Sequence, residues 1–323
     1  WNPTFEPATS KPERWQSSHG PGYTRFEAER KGIQTKVIYF IGTEENSLIW
    51  SLKIKNNNSD AESLDIFGYV EFGMMEYMRE ISWLCYMKHQ MSVHFSDENQ
   101  SLIFKYGVES QPRPNDTPLV YLACDQKLIS YDGDRDEFIG PYRSETNPLA
   151  IEKGECSGST LFGGDPCGAL HTEVELKPGE EKEINFFLGT GISTAEISRS
   201  LHQLKTPGFV ARSYSSLRKN WEGFFNQFSV QLPDPVVQRT INIWNPYQAE
   251  RNFQFSRNIS YYATGTFRGV GFRDTAQDIL SMIPFSTQRA EDKLFLLLGQ
   301  QYCDGHSNHY FFPEEGWEPL HRI

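Results

Sequence analysis

From Gly22 to about Thr190 the hydrophobic and polar residues alternate with a period of two. In the stretch 33–42 (IQTKVIYFIG) this sets Ile33, Thr35, Val37, Tyr39 and Ile41 on one face, as in a half-buried strand. Ser47–Lys55 predicts a second strand that stops at the turn cluster Asn56-Asn57-Asn58-Ser59-Asp60, and Glu62–Phe72 a third. The pattern predicts a hairpin over 90–108 around Ser96-Asp97-Glu98-Asn99. It predicts another over 171–190 around Lys177-Pro178-Gly179-Glu180. Short strands, polar turns and no alternating helices predict an antiparallel β-sandwich.

After Gly191 the period changes to that of a helix. Ser193–Leu204 opens on a Ser-Thr cap region. A second helix is expected over 209–228, with Val210, Tyr214, Leu217, Trp221 and Phe225 near one face. Pro233-Asp234-Pro235 punctuates, and the helical pattern of 236–254 must kink or end at Pro246. A last helix is expected over roughly 288–302, with Leu294, Leu297 and Leu298 inward. The expected organisation is a multidomain α+β chain: a β-sandwich over 1–191, a helical linker over 192–232 and a helical domain from 233 to 323.

Composition narrows the function. With 38% hydrophobic and 14% aromatic residues the 323-residue chain folds rather than staying disordered. The 31 Lys+Arg against 42 Asp+Glu leave a net charge of −11, which argues against nucleic acid or an anionic membrane as partner. The longest aliphatic run, Leu294–Leu298, falls far short of the roughly 20 apolar residues of a membrane span. Cys85, Cys124, Cys156, Cys167 and Cys303 are odd in number, scattered and free of C-x-x-C pairs, so a reducing, cytoplasmic setting is expected. The start at Trp1 without a leader and the end at Ile323 give the chain the look of part of something longer.

The densest candidate chemistry is 257–278, RNISYYATGTFRGVGFRDTAQD. Arg257, Arg268, Arg273, Asp274 and Asp278 stand among Tyr261, Tyr262, Phe267 and Phe272, with Gly265, Gly269 and Gly271 allowing close backbone approach. Guanidinium forks bind hydroxyls and phosphate oxygens, carboxylates accept hydroxyl protons, and rings stack on the apolar face of a sugar. A plainer reading stands beside it: Asp274 with Gln277 is an N-cap and capping box, and Arg273 with Asp278 a surface pair. The segment is no dinucleotide fingerprint, because Asp274 stands at the third glycine position and no strand is expected ahead of it.

Other clusters are weaker. In 131–148, Asp132, Asp134 and Asp136 imitate a calcium loop, but Glu137 and Arg143 stand where glycine and the bidentate Glu are required. A polar loop with internal charge pairs is the expectation there, with a binding role left open. Cys303, His306 and His309 supply three zinc-type ligands without a fourth, so no metal is expected. His89 heads a strand as a structural histidine, and Trp83, Tyr86 and Met87 are assigned to core.

At RGVGFRDTAQD (268–278), preceded by WNPYQ (244–248) and SRNISYY (256–262), the sequence resembles the glycoside phosphorylases of glycoside hydrolase family 94. The likeness continues through YDGDRDEFIGPYRSETNPLA (131–150), GGDPCGAL (163–170) and ELKPGEEKEINFFLGTG (175–191). It implies that residues 233–323 open an (α/α)6 catalytic barrel. It also implies inverting phosphorolysis of a β-linked disaccharide, of cellobionic acid, cellobiose or chitobiose type, to an α-sugar 1-phosphate, with a glucosyl donor preferred. Carried over, Arg268 and Asp274 bind hydroxyls of the transferred sugar, while Arg273 and Arg257 serve the sugar or the phosphate charge. The family's general acid and its phosphate-binding His and Thr are expected beyond Ile323, so no catalytic residue is assigned. The resemblance also implies a homodimer, inorganic phosphate as co-substrate, and no cofactor or metal. The alternatives are an inverting glycoside hydrolase of similar plan and a non-catalytic carbohydrate-binding fragment.

Overall fold

The structure, a computed structural model, describes residues 1–74, 88–107, 118–255 and 270–311. They divide into two compact units, the first ending at Arg218 and the second starting at Lys219.

The first unit is a sandwich of antiparallel strands. β1 (Arg14–Gly20), β2 (Tyr23–Arg30), β3 (Ile33–Ile41), β4 (Ser47–Asn56) and β5 (Glu62–Val70) come first, then β6 (Met91–Ser96), β7 (Ser101–Tyr106), β8 (Leu119–Cys124) and β9 (Ser130–Asp134). β10 (Leu161–Phe162), β11 (Pro166–Leu176) and β12 (Glu181–Gly191) follow. Nine strands form one sheet in the order β1-β2-β3-β4-β12-β8-β7-β6-β10, and β5-β11-β9 form the second. The predicted alternation in β3 holds at its centre, where Ile33, Thr35 and Val37 are buried, and fades at Tyr39 and the exposed Ile41.

The 90–108 hairpin forms as expected, Ser96 pairing with Ser101. The 171–190 hairpin does not. The turn closes, Glu180 N–H donating to Lys177 O at 3.0 Å, but β11 pairs with β5 and β9 while β12 pairs with β4 and β8. The connection is an arch between layers. Asn56 holds it, its Nδ2 donating to Leu176 O at 3.0 Å and its backbone N–H to Glu180 O at 3.0 Å. Each strand can then bury apolar residues between the sheets: a Cβ on Gly68 of β5 would lie 2.5 Å from the Phe186 ring of β12.

Two short helices, α1 (Arg135–Ile139) and α2 (Leu149–Lys153), belong to a core cluster on the second sheet with Phe138, Ile139, Ala150, Cys156, Cys167 and Ala169. α3 (Thr194–Leu204) starts at the Ser193 cap, whose Oγ accepts from Glu196 N–H at 3.3 Å. α4 (Phe209–Phe225) buries Val210 and Leu217, and Tyr214 meets Tyr23 and Phe40 edge-on or tilted at 5.5 and 5.2 Å.

In the second unit α5 (Pro235–Arg239) is capped by Asp234, and a single π-helical turn (Thr240–Trp244) leads into α6 (Asn245–Phe255). Pro246 has no N–H to give four residues back, and the turn before it widens, Asn245 N–H reaching Thr240 O. β13 (Val270–Gly271), α7 (Phe272–Met282), α8 (Thr287–Leu298) and β14 (Tyr310–Phe311) follow. Their core gathers Phe253, Val270, Ile279, Met282, Phe285, Ala290, Leu297 and Phe311. α8 ends at Gly299, short of the expected 302, and of the three leucines expected inward only Leu297 is; Leu294 and Leu298 are 42% and 47% exposed. The inner stripe is Ala290, Lys293 and Leu297, at helical spacing, so that Lys293 rather than Leu294 turns inward.

Among the described residues no helix is long and apolar enough to cross a membrane.

Candidate functional site

The site begins at a backbone ribbon. Val270 pairs with Phe311 and Gly271 with Tyr310, so a two-residue strand lies inside the glycine-rich segment, and what precedes Val270 lies outside the described residues. α7 starts at once, with Gly271 as its N-cap and no side-chain cap. The N–H of Phe272, one of the four that a helix start leaves unpaired, donates to His309 O at 3.2 Å. Asp274 is therefore the third residue of the helix, not its cap. The non-local strand pairing sets the helix start three residues earlier than local capping signals did.

That position suits a binding carboxylate. Asp274 lies in the first turn of α7, where the helix dipole favours negative charge. Arg273 Nε lies 3.8 Å from Asp274 Oδ1, their side chains 77% and 30% exposed, so a positive fork and a carboxylate stand together at the helix head. A Cβ on Gly271 would lie 3.4 Å from Asp274 Oδ2. The alternative surface pair of Arg273 with Asp278 is not found, because Asp278 is buried. Arg257 and Arg268 lie outside the described residues.

The second unit also holds a charged cluster that the sequence reading missed. Glu250 of α6 is buried, with Arg289 Nη2 at 2.9 Å from its Oε1 and Arg251 paired to its Oε2. The Arg251 guanidinium lies over the Trp221 and Tyr247 rings at 5.1 and 5.7 Å. Lys293 Nζ donates to the Phe253 carbonyl and lies 4.5 Å from the Phe253 ring centroid. Burial, and then the Arg289 charge, lower the Lys293 pKa below the ordinary lysine range, against the pull of Asp278 and Glu250. Glu250 and Arg289 are 39 residues apart, so only the fold reveals the cluster. The one local signal was a lysine on the apolar stripe of α8.

Within the 131–148 segment one of the expected internal charge pairs forms, Arg135 with Glu145, and the other acidic partners of its arginines lie outside it. Arg135 pairs with Glu71 at 3.0 Å and with Glu145, and Arg143 pairs with Glu152. Asp134 caps α1 by accepting from Asp136 N–H at 2.9 Å. Asp132 is fully buried, and its Oδ1 faces four donors: Ser157 N–H and Oγ at 3.0 and 2.6 Å, and Ser159 N–H and Oγ at 3.1 and 2.8 Å. Such a carboxylate braces a loop. Nearby, Ser130 Oγ, His171 and Asp65 form a chain, His171 Nδ1 lying 3.0 Å from Ser130 Oγ and Nε2 2.8 Å from Asp65 Oδ1. His171 is buried and stacked on Phe67 at 4.3 Å, and Ser130 Oγ also accepts the Cys156 N–H, which marks a structural brace across three strands.

Cys303 is exposed, and His306 pairs with Asp304 and stacks on Tyr302 at 4.5 Å. Among the described residues no group of three His, Cys, Asp or Glu is arranged to hold a metal. His89 is exposed ahead of β6 rather than packed as a structural histidine, and Trp83, Tyr86 and Met87 lie outside the described residues.

An antiparallel sandwich followed by a helical unit, with an Arg–Asp pair at a helix head, defines a two-part α+β protein. The fold matches that of a bacterial glucoamylase solved with acarbose, at a TM-score of 0.50 and 10% identity, over 93% of this chain and 44% of that one. Residues 1–207 match the model of the glycosyl hydrolase 94 supersandwich domain, and residues 220–319 that of the glycosyl hydrolase 94 superfamily catalytic domain. The chain belongs to glycosyl hydrolase family 94. It is 30% identical over 320 residues to the N,N'-diacetylchitobiose phosphorylase of Vibrio proteolyticus, covering 97% of this chain and 39% of that protein. It is 26% identical to the solabiose phosphorylase of Paenibacillus borealis, covering 99% of this chain and again 39% of the relative. The chain thus spans about two-fifths of the length of these relatives.

Proposed function

We propose that this chain is the sandwich and the opening of the (α/α)6 catalytic barrel of an inverting disaccharide phosphorylase. The observation that carries the reading is the match to both family domains in order, with phosphorylases among the relatives. In the proposed reaction a phosphate oxygen attacks the anomeric carbon as the glycosidic C–O bond breaks on the opposite face. A carboxylic acid delivers its proton to the departing oxygen, so an α-sugar 1-phosphate and a free acceptor sugar result.

In this reading Asp274 accepts hydroxyl protons of the transferred sugar from the head of α7, and Arg268 binds its neighbouring hydroxyls. Arg273 and Arg257 hold sugar hydroxyls or compensate the phosphate charge. No carboxylate of the chain is assigned as the acid. The diacetylchitobiose relative supports an N-acetylglucosaminyl donor as a candidate beside the glucosyl donor expected from sequence. A cytoplasmic homodimer belongs to the same reading. Arg268→Ala in the full-length protein abolishes phosphate-dependent turnover on this account; retained turnover overturns the site assignment.

A further inference from the structure

α6 and α7 are the helices on either side of segment 256–269, and α8 packs against α7. The last four carbonyls of a helix have no intrahelical donor, and the Phe253 carbonyl is among those of α6. It is met by a side chain from another helix: Lys293 Nζ of α8 donates to it and lies over the Phe253 ring. The same ammonium is within electrostatic range of Asp278, one turn beyond Asp274 on α7, and of Glu250 on α6. On its own helix it faces Arg289, which Glu250 holds at 2.9 Å. A single cation of α8 thus closes the end of α6, while α8 itself packs against α7.

We infer that Lys293 is a positioning residue: it ties the C-terminal end of α6 to α8, which packs on α7, and so supports the helix head that presents Arg273 and Asp274 to the sugar. The inference rests on the sugar-binding reading of that head. Lys293 itself touches no substrate. Its half-buried place, which lowers its pKa through desolvation, is a cost that a residue with no such role could avoid by being methionine.

The test uses Lys293→Met and Lys293→Arg in the full-length protein. Amide exchange over 250–255 and 272–278 reads the tie directly, and the disaccharide KM against kcat reads its consequence. Lys293→Met should speed exchange in both segments and raise KM roughly tenfold or more with a smaller change in kcat. Lys293→Arg, which keeps charge and donor, should restore both. Unchanged exchange in Lys293→Met overturns the tie itself. Faster exchange with an unchanged KM overturns the positioning role. Faster exchange in a protein whose wild type turns over no disaccharide leaves the tie standing and overturns the functional reading together with the role built on it.

Discussion

The N–H of Phe272 donates to the carbonyl of His309, 3.2 Å away. This bond joins the two segments that the sequence marked separately, the glycine-rich arginine segment and the histidine-rich tail, and it places the first turn of α7. Asp274 takes its position from that bond rather than from a cap of its own.

Asp274→Asn is expected to separate binding from folding. Loss of a negative charge from the first turn of a helix costs about 0.5 kcal/mol, visible as a small shift in the urea midpoint. Loss of a carboxylate that pairs sugar hydroxyls lowers kcat/KM roughly a hundredfold. A variant with wild-type kcat/KM would remove Asp274 from the site.

Asp132→Ala should be the most damaging change in the first unit. Four donors of Ser157 and Ser159 lose an acceptor that is itself fully buried. The expected loss is about 3 kcal/mol or more by urea unfolding. A loss under about 1 kcal/mol would show that the 157–159 loop is held by other contacts.

The two sheets meet closely at Gly68, whose added Cβ would stand 2.5 Å from Phe186 Cε1. Gly68→Ala should cost about 1–3 kcal/mol through displacement of that ring. Gly158→Ala is a contrasting control, since nothing lies within 4 Å of its Cβ and only its positive φ of 78° opposes the change. Equal urea midpoints for Gly68→Ala and wild type would contradict the close packing.

Thiol reactivity should follow burial. Desolvation pushes Cys124 up to about 12, and burial with the Asp132 carboxylate raises Cys156 and Cys167 further. Among the four described cysteines only the exposed Cys303 should react rapidly with a thiol reagent near pH 8. Peptide mapping of the first labelled site checks this, and early labelling at Cys156 or Cys167 would refute it.

Much of the sandwich was legible because period-two alternation survives wherever one face of a strand is buried, as from Ile33 to Val37. What periodicity cannot carry is which partner a strand takes. The turn at 177–180 looks the same for a hairpin and for an arch between layers, and only Asn56, 120 residues from Leu176, reveals the arch. The start of α7 failed for the same reason, being set by pairing with Tyr310 and Phe311. Arg273 and Asp274 were visible in the sequence because their chemistry is local. The Glu250–Arg289 pair was not, because its partners come together only when α6 and α8 pack.

The most direct measurement is product formation by the full-length protein on N,N'-diacetylchitobiose, cellobiose, cellobionic acid and laminaribiose, each with and without inorganic phosphate. The account predicts α-sugar 1-phosphate from one of these, formed only when phosphate is present. Free sugars released without phosphate, or no turnover by a folded enzyme, would contradict it.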